Sequence, residues 1–258
     1  MKKTLLFLKL SIFLTVSTLN CTSLFAQYYA VIGDDTPAFY YLDISTNVWT
    51  QKANLPANLD KGGSLVYDGQ YIYATEGGGT TNFYSYDIGT DTWTAKADAP
   101  SSVEEGGKMA IDGSSSIYLI QGGAAAGFFR YTIASNTWTT LAPVPQTVED
   151  VGAITFDGTY IYAFSGGGQG NFYRYNTSTN SWTAMASITF SNKPDDGASL
   201  VYASGNYIYA IPAGDVTSKV SFYRYDISTN TWSDVGVADL ALVMGQLWFM
   251  MEWVIFTP

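Results

Sequence analysis

The chain has 258 residues, of which 16% are aromatic and only 13% are charged, and its formal net charge is −10. A chain of this length can bury a full hydrophobic core, and a composition rich in Tyr, Gly, Ser and Thr is typical of β structure. The acidic charge excludes nucleic acid and anionic lipid as expected partners, because it would repel both.

Residues 1–26 have a basic start, an apolar middle and a small residue, Ala26, before Gln27. This pattern predicts a secretory signal peptide, hence a secreted or cell-surface protein with no membrane insertion once the segment is removed. A retained membrane anchor is the alternative, but Ser, Thr and Asn interrupt the apolar stretch. Cys21 suggests lipidation, which the preceding Asn20 disfavours because such processing requires a small residue there.

Removal of that segment would take three lysines and the single cysteine, leaving 9 basic and 22 acidic residues and a net charge of −13, with no His. No disulfide could then form. Ser-His-Asp and Cys-His catalysis, and metal binding by His or Cys, are excluded for the same reason. Only carboxylate chemistry, such as glycoside hydrolysis by two acids, remains open to an enzyme.

A repeat of about 45 residues dominates the sequence. Five aromatic segments end near a tryptophan, and the tryptophans are 44, 45, 44 and 50 residues apart. These tryptophans are Trp49, Trp93, Trp138, Trp182 and Trp232. Repeats of this length indicate an array of similar structural units.

Each unit is predicted to contain four short strands. Alternating runs such as SLVY and YIYA are joined by Asp-Gly turns at Asp68-Gly69, Asp112-Gly113 and Asp157-Gly158, where glycine supplies a positive φ. A second turn, ISTN in the first and last units, offers hydroxyl and amide groups to the local backbone. Four antiparallel strands per repeat predict the blade of a β-propeller.

These residues resemble the Kelch repeat, a propeller unit also found in the central domain of galactose-oxidase-like proteins. The matching features are paired glycines after the second strand and a tyrosine seven residues before the tryptophan. They are Gly77-Gly78, Gly122-Gly123 and Gly166-Gly167, with Tyr86, Tyr131, Tyr175 and Tyr225. The first unit departs from the pattern at Leu42 and Gly33-Asp34, and the fifth at Ala213-Gly214.

The resemblance covers roughly residues 28–242 and implies an all-β, Kelch-like propeller of four-stranded antiparallel blades, with about five blades present. The copper site of galactose-oxidase-like proteins needs His and a Cys-linked Tyr, so that activity carries over to no position here. The glycine runs are not expected to bind nucleotides, since no Lys-Ser/Thr follows them. Tyr and Trp are expected in the core between blades. Arg130, Arg174 and Arg224 are expected to pack their stems and to pair with neighbouring carboxylates.

Carboxylates precede the first strand of successive blades and predict an acidic ring at one mouth of the central channel. The ring comprises Asp60, Glu104, Glu105, Glu149, Asp150, Asp195 and Asp196. It could hold a cation such as Ca²⁺, attract a basic peptide or accept hydrogen bonds from sugar hydroxyls. The alternative is a solvated rim that only keeps the protein soluble. No catalytic residue is assigned, because acids recur in every blade.

These patterns favour an exported, non-catalytic binding module that presents a loop face to a glycan or to an extracytoplasmic protein. A carbohydrate-active enzyme that uses paired carboxylates and a purely structural surface module are the alternatives. No cofactor is expected beyond a possible Ca²⁺.

The end of the chain breaks the repeat. A first strand is due near residue 244, but the sequence there is VMGQLWFMMEWVIFTP, residues 243–258. When its back-translation is read from the third base of each codon, the result is compatible with YGAALVYDGMGYIYA, the missing pair of strands. We therefore expect a propeller at 27–243 and a frameshifted tail at 244–258. A genuine apolar anchor is the rival interpretation, disfavoured by Gln246 and Glu252.

The first unit also lacks an obvious first strand before AVIGDD. Because Kelch-like propellers usually have six or seven blades, the chain is expected to be a truncated propeller with an open edge, which would favour aggregation.

Sequencing the gene from the codon for Trp232 onward would test the frameshift. We expect an extra or missing base, and a restored frame that continues the repeat. A confirmed frame with no such change would contradict this interpretation and favour the apolar anchor.

Overall fold

The computed structural model describes residues 11–15, 27–31, 36–113, 115–149, 152–165, 170–189, 198–203, 205–211 and 219–239. Twenty strands form five four-stranded antiparallel sheets, and within each sheet the strands follow chain order. The chain is therefore an all-β propeller with five blades, as the repeat predicts. The single helix among these residues is the 3₁₀ turn Ile133–Ser135, so no described helix is long enough to cross a membrane.

The four strands of each blade run from the centre outward. The first strands are β1 (Ser11–Thr15), β5 (Ser64–Tyr67), β9 (Lys108–Ile111), β13 (Ala153–Phe156) and β17 (Ser199–Ala203). The second strands are β2 (Gln27–Val31), β6 (Tyr71–Thr75), β10 (Ser116–Ile120), β14 (Tyr160–Phe164) and β18 (Tyr207–Ile211). The third strands are β3 (Phe39–Asp43), β7 (Phe83–Asp87), β11 (Phe128–Thr132), β15 (Phe172–Asn176) and β19 (Lys219–Asp226). The outer strands are β4 (Val48–Gln51), β8 (Thr92–Ala95), β12 (Thr137–Thr140), β16 (Ser181–Met185) and β20 (Thr231–Asp239).

Blade 1 differs from the sequence-based expectation. We expected no first strand there, but β1 pairs with β2 in register from Ser11 opposite Val31 to Thr15 opposite Gln27. β1 comes from the predicted signal peptide, because an apolar segment with alternating Ile and Leu can serve either as a leader or as a core strand. The signal peptide itself stays a prediction.

The predicted turns between first and second strands are confirmed. Gly69, Gly113 and Gly158 have φ of 104°, 106° and 98°. The aspartate before each glycine caps the turn, since Asp157 Oδ1 accepts hydrogen bonds from the backbone N–H of Thr159 and Tyr160, both at 2.7 Å. The same capping occurs at Asp68 and Asp112.

Aromatic side chains fill the spaces between blades, as expected. Four buried clusters each combine residues of two neighbouring blades. At the interface of blades 2 and 3, the Phe83 ring meets Tyr131 edge-on at 4.8 Å and Trp138 at 5.1 Å between centroids. Equivalent contacts recur at Phe39, Phe128 and Phe172. The burial of these rings, together with the aliphatic side chains of the same clusters, stabilises the contact between blades.

A polar clamp adds direction to this packing. The Trp138 Nε1–H donates to the Ala97 carbonyl of the preceding blade at 2.8 Å, and the Ala97 N–H donates to Asn136 Oδ1 at 2.9 Å. The Tyr131 hydroxyl donates to the same Asn136 oxygen at 2.8 Å. Each of the next two interfaces repeats all three bonds, through Asn180 and Asn230.

At the interface of blades 1 and 2, Asp91 takes the place that asparagine has in the other three clamps. Hydrogen bonds from the Ala53 N–H and the Tyr86 hydroxyl, with the nearby Lys52 ammonium, lower the pKa of Asp91. The clamp residues Asp91, Asn136, Asn180 and Asn230 all have φ between 51° and 55°. Asn and Asp are the side chains that tolerate this left-handed conformation best, which explains the turn sequence.

Replacing Asn136 by Ala should lower the free energy of unfolding by about 3 kcal/mol. The substitution leaves the Ala97 N–H and the Tyr131 hydroxyl without an acceptor and places alanine in a left-handed conformation. Urea titration followed by tryptophan fluorescence would measure the loss.

Asn136→Asp is the matched control, since blade 2 already carries Asp91 at this position. We expect it to stay within about 1 kcal/mol of the parent near neutral pH. Equal losses in the two variants would show that the shared oxygen acceptor is not what stabilises the interface.

Candidate functional site

One face of the propeller carries the loops that join successive blades and the turns that join second to third strands. We call it the glycine face, defined by the described residues of the inter-blade loops, 52–63, 96–107, 141–149, 152, 186–189 and 198, and of the turns, 76–82, 121–127, 165, 170 and 171. These bounds follow from the strands. The opposite face carries the turns between first and second strands and is called the hairpin face. The four described members of the predicted acidic ring all lie in the loops of the glycine face.

Left-handed turns hold the glycine face together. Gly77, Gly78 and Gly79 have φ of 78°, 59° and 78°, and the Thr80 N–H closes the turn on the Gly77 carbonyl at 3.0 Å. Gly122, Gly123 and Ala124 repeat it in blade 3. Three consecutive left-handed residues explain the glycine runs. A residue with a Cβ would lose about 1–2 kcal/mol at each of these positions, whereas glycine does not.

The N–H groups of these turns point at neighbouring loops. The Gly78 N–H donates to the Lys61 carbonyl at 2.8 Å, and the Gly79 N–H donates to the Val103 carbonyl of the next inter-blade loop at 3.0 Å. In blade 3, Gly123 and Ala124 bond Glu105 and Val148 in the same way. Because these donors are already used, the turns are not built to hold a phosphate.

Successive inter-blade loops also lie in direct backbone contact. A Cβ added to Gly62 would come within 1.9 Å of the Glu104 carbonyl oxygen, and one added to Gly152 would come equally close to the Gly106 carbonyl oxygen. The loops therefore form a contiguous rim, and only their side chains can vary without moving the backbone.

The backbone fixes three of the predicted site residues in equivalent places. The N–H groups of Asp60, Glu104 and Glu149 donate to the carbonyls that follow the second strand of the same blade, at 2.9, 3.0 and 3.2 Å. Asp60 and Glu149 are exposed, and Glu104 is half-buried against the glycine turns. Asp150, Asp195 and Asp196 lie outside the described residues.

Glu105 is engaged differently from its neighbours. Its Oε2 lies 2.7 Å from the Nζ of Lys61, which occupies the matching position in the preceding loop. The pair links two blades across the rim and neutralises one of the carboxylates. The expected ring is therefore not uniformly acidic. Lys61 and Glu105 occupy the same repeat position in successive loops, so one loop carries a positive charge where the next carries a negative one.

The described residues contain no group of three or more acidic side chains close enough to hold a metal ion. The ring supplies no Ca²⁺ ligand set from Asp60, Glu104, Glu105 and Glu149. Bound Ca²⁺ stays a prediction that depends on residues outside the described part.

Two further polar groups on this face were not predicted. The Asn82 amide and the Tyr84 hydroxyl donate to Glu76 Oε2 at 2.5 and 3.5 Å, and burial is the main cause that raises the pKa of Tyr84. In blade 4, the Asn171 amide donates to Gln146 of the preceding inter-blade loop. The sequence could have indicated this variable position. Glu76, Gln121 and Ser165 stand at the same place in three repeats and differ, whereas the glycines that follow them are the same.

Replacing Gly62 by Ala should lower the free energy of unfolding by about 3 kcal/mol or more, because the new Cβ meets a carbonyl oxygen at a residue with φ of 82°. Gly113→Ala is the control: its φ is 106°, but the added Cβ would meet nothing within 4 Å. We expect the control to lose only about 1–2 kcal/mol in the same urea titration. Similar losses in both would contradict the close approach of the loops.

A scan against models of protein families gave no match, and a search of curated proteins gave none. Among solved structures, the chain is similar to that of YjhT, with a TM-score of 0.58 and 13% sequence identity. The likeness covers 76% of this chain and 70% of that chain. At this identity the similarity shows a shared propeller fold and carries no activity with it.

Proposed function

We propose that this chain is an exported, Kelch-like propeller that binds a glycan on its glycine face. The features behind the Kelch resemblance have clear structural roles, which supports that assignment. In blades 2 and 3 the paired glycines form the left-handed turns between loops, and the Tyr and Trp of blades 2 to 5 form the clamp between blades.

The observation that carries the binding proposal is the repetition of three available carboxylates. Asp60, Glu104 and Glu149 hold equivalent positions in successive loops, and none of them forms an ion pair within the described part of the chain. Their backbone groups serve the fold, whereas of their side chains only that of Asp60 has a hydrogen bond among the described residues, since its Oδ1 accepts the adjacent Lys61 N–H at 2.7 Å. A carboxylate accepts hydrogen bonds from hydroxyl groups, which a sugar presents in number.

The nearby side chains favour a glycan over a basic peptide. Asn82, Gln146 and Asn171 add amide groups that can both donate and accept. The Lys61 ammonium, 65% exposed, would repel a cationic partner. A rim that mixes carboxylates, amides and one ammonium suits a neutral, hydroxyl-rich ligand.

Export rests on the leader pattern of residues 1–26. Cleavage after Ala26 would remove β1, so blade 1 of the processed protein would keep only β2, β3 and β4. A strand from elsewhere in the chain would then have to complete this blade. The proposal therefore requires either a retained leader or a closing strand supplied by another segment.

Binding to an array of neutral oligosaccharides would test the glycan proposal. We expect the parent chain to bind at least one, and Asp60→Asn, Glu104→Gln and Glu149→Gln each to weaken that binding about tenfold, since each removes a charged acceptor. Asp87→Asn removes the same charge at the opposite end of a strand, copies Asn176 of blade 4, and should bind as the parent does.

Two results would contradict the proposal. One is the absence of binding to any oligosaccharide on the array, and the other is unchanged binding in all three variants. Hydrolysis of the bound oligosaccharide, lost on neutralising one pair of carboxylates only, would instead favour the carbohydrate-active enzyme.

A further inference from the structure

The hairpin face carries a second unusual repeat position. The chain has three arginines, Arg130, Arg174 and Arg224, and all three occupy the third residue position of the FFRYT or FYRY motif in blades 3, 4 and 5. Each lies directly opposite a tyrosine of the second strand, at Tyr118, Tyr162 and Tyr209. Blade 2 has Ser85 there, opposite Tyr73, so the fold does not require arginine.

The expected pairing of these arginines with carboxylates is seen only at a distance: the Ser228 hydroxyl and, as a smaller cause, the Arg224 charge lower the pKa of Asp226. In the described part of the chain none of the three forms an ion pair. The Arg174 guanidinium lies over the Tyr160 ring at 4.4 Å, and that of Arg224 lies over the Tyr207 ring at 4.6 Å. Tyr160 and Tyr207 begin their strands directly after the hairpin turns, so the stacked guanidinium groups lie toward the hairpin face.

Several polar atoms at these positions lack partners. Among the described residues, the Nε of Arg130, the Nε of Arg224 and the hydroxyl of Tyr162 are buried without a hydrogen bond. Tyr162 is 0% exposed; burial is the main cause that raises its pKa, and Asp157 and Arg174 lie close enough to influence it too. The equivalent Tyr73 hydroxyl donates to Asp68 Oδ2 at 3.1 Å. A buried N–H without an acceptor is costly, and the two arginine Nε groups, which share one repeat position, point to an acceptor that arrives with a ligand.

The chemistry of these donors selects an anion with planar oxygens. A guanidinium offers a fixed fork of N–H groups that a carboxylate fills with two parallel hydrogen bonds. None of the chain's nine lysines stands at this position, although a lysine would supply the same charge. Three arginines in three successive blades match a polymer that carries a carboxylate on each of several units.

Aromatic residues on the same face favour a polysaccharide over an acidic peptide. Phe156 and Tyr202, in blades 4 and 5, are equivalent residues near the ends of β13 and β17, where the chain enters the hairpin turns. Both pack partly against the core and are half-buried, which leaves part of each ring open to the apolar face of a sugar.

We propose that the hairpin face of blades 3, 4 and 5 binds a carboxylate-bearing polysaccharide through Arg130, Arg174 and Arg224. This surface is separate from the carboxylate rim of the glycine face and takes an anionic ligand where the rim takes a neutral one. The net charge of the chain is −10, but all three of its arginines are concentrated here. It goes beyond the proposed function and does not depend on it.

Binding of polygalacturonate, measured by titration calorimetry at low and high salt, tests the proposal. We expect the parent chain to bind more weakly as salt rises, and dextran of similar length not to bind. Arg130→Ser, Arg174→Ser and Arg224→Ser copy the residue found in blade 2, and each should raise the dissociation constant about tenfold. Lys96→Ser removes one positive charge elsewhere and should leave binding unchanged.

Three outcomes would overturn the proposal: no binding of polygalacturonate, unchanged binding by the triple serine variant, or tighter binding of poly-L-glutamate, which would indicate an acidic protein partner. The carboxylate variants of the glycine face should bind polygalacturonate as well as the parent. The serine variants should bind neutral oligosaccharides as the parent does. Failure of one proposal is therefore distinguishable from failure of the other.

Discussion

The backbone N–H and C=O of one alanine at each interface are the groups on which the propeller depends. At each of the four described interfaces, the next blade holds the alanine N–H with a carboxylate or amide oxygen and its carbonyl with a tryptophan Nε1–H. Apolar burial between blades is larger in free energy but has no fixed direction. The two hydrogen bonds set the rotation and height at which one blade meets the next, because they hold two consecutive peptide groups, one on each side of the alanine Cα.

The position of the clamp determines which side chains can vary without disturbing the fold. With the outer strands fixed by the alanine and the glycine turns fixed by neighbouring loops, the inter-blade loops have little freedom in their backbones. Gly62 and Gly152 show how little, since neither position has room for a Cβ. Side chains such as Glu104 and Glu149 can then change without moving the scaffold, as the residues of a binding surface on a rigid support must.

Local features were predictable from the sequence, and partners were not. The strands and the Asp-Gly turns follow from alternation and from the positive φ that glycine allows, both properties of a few adjacent residues. The second turn shows the limit. Its asparagine was expected to satisfy the local backbone, but Asn136 also accepts a hydrogen bond from Ala97, 39 residues earlier. Residue type does not specify such a partner, because only the packing of two blades brings the atoms together.

The same limit explains the errors at the rim and in blade 1. Glu105 was counted as a free carboxylate because its neutralising partner, Lys61, stands 44 residues away in the sequence. β1 was missed because an apolar run such as SIFLT has the composition of both a leader and a core strand. In both cases the sequence supplies compatible residues, and tertiary packing decides how they are used.

Comparison among the repeats separates residues that serve the fold from those that do not. The clamp tryptophan and its Asp or Asn partner recur in blades 2 to 5, and the Asp-Gly turn in blades 2 to 4, because each satisfies a fixed geometric requirement. The position held by Ser85 in blade 2 and by arginine in blades 3 to 5 has no such requirement, and neither has the position shared by Lys61 and Glu105. Blade 5 differs at the clamp position itself. Gly236 stands four residues after Trp232, where the other blades have the clamped alanine, and at Gly236 β20 is still paired with β19. A different residue at the clamp position of the outer strand therefore changes how two blades meet. Different residues at the arginine position and in the loops of the glycine face mainly change what the two faces can bind.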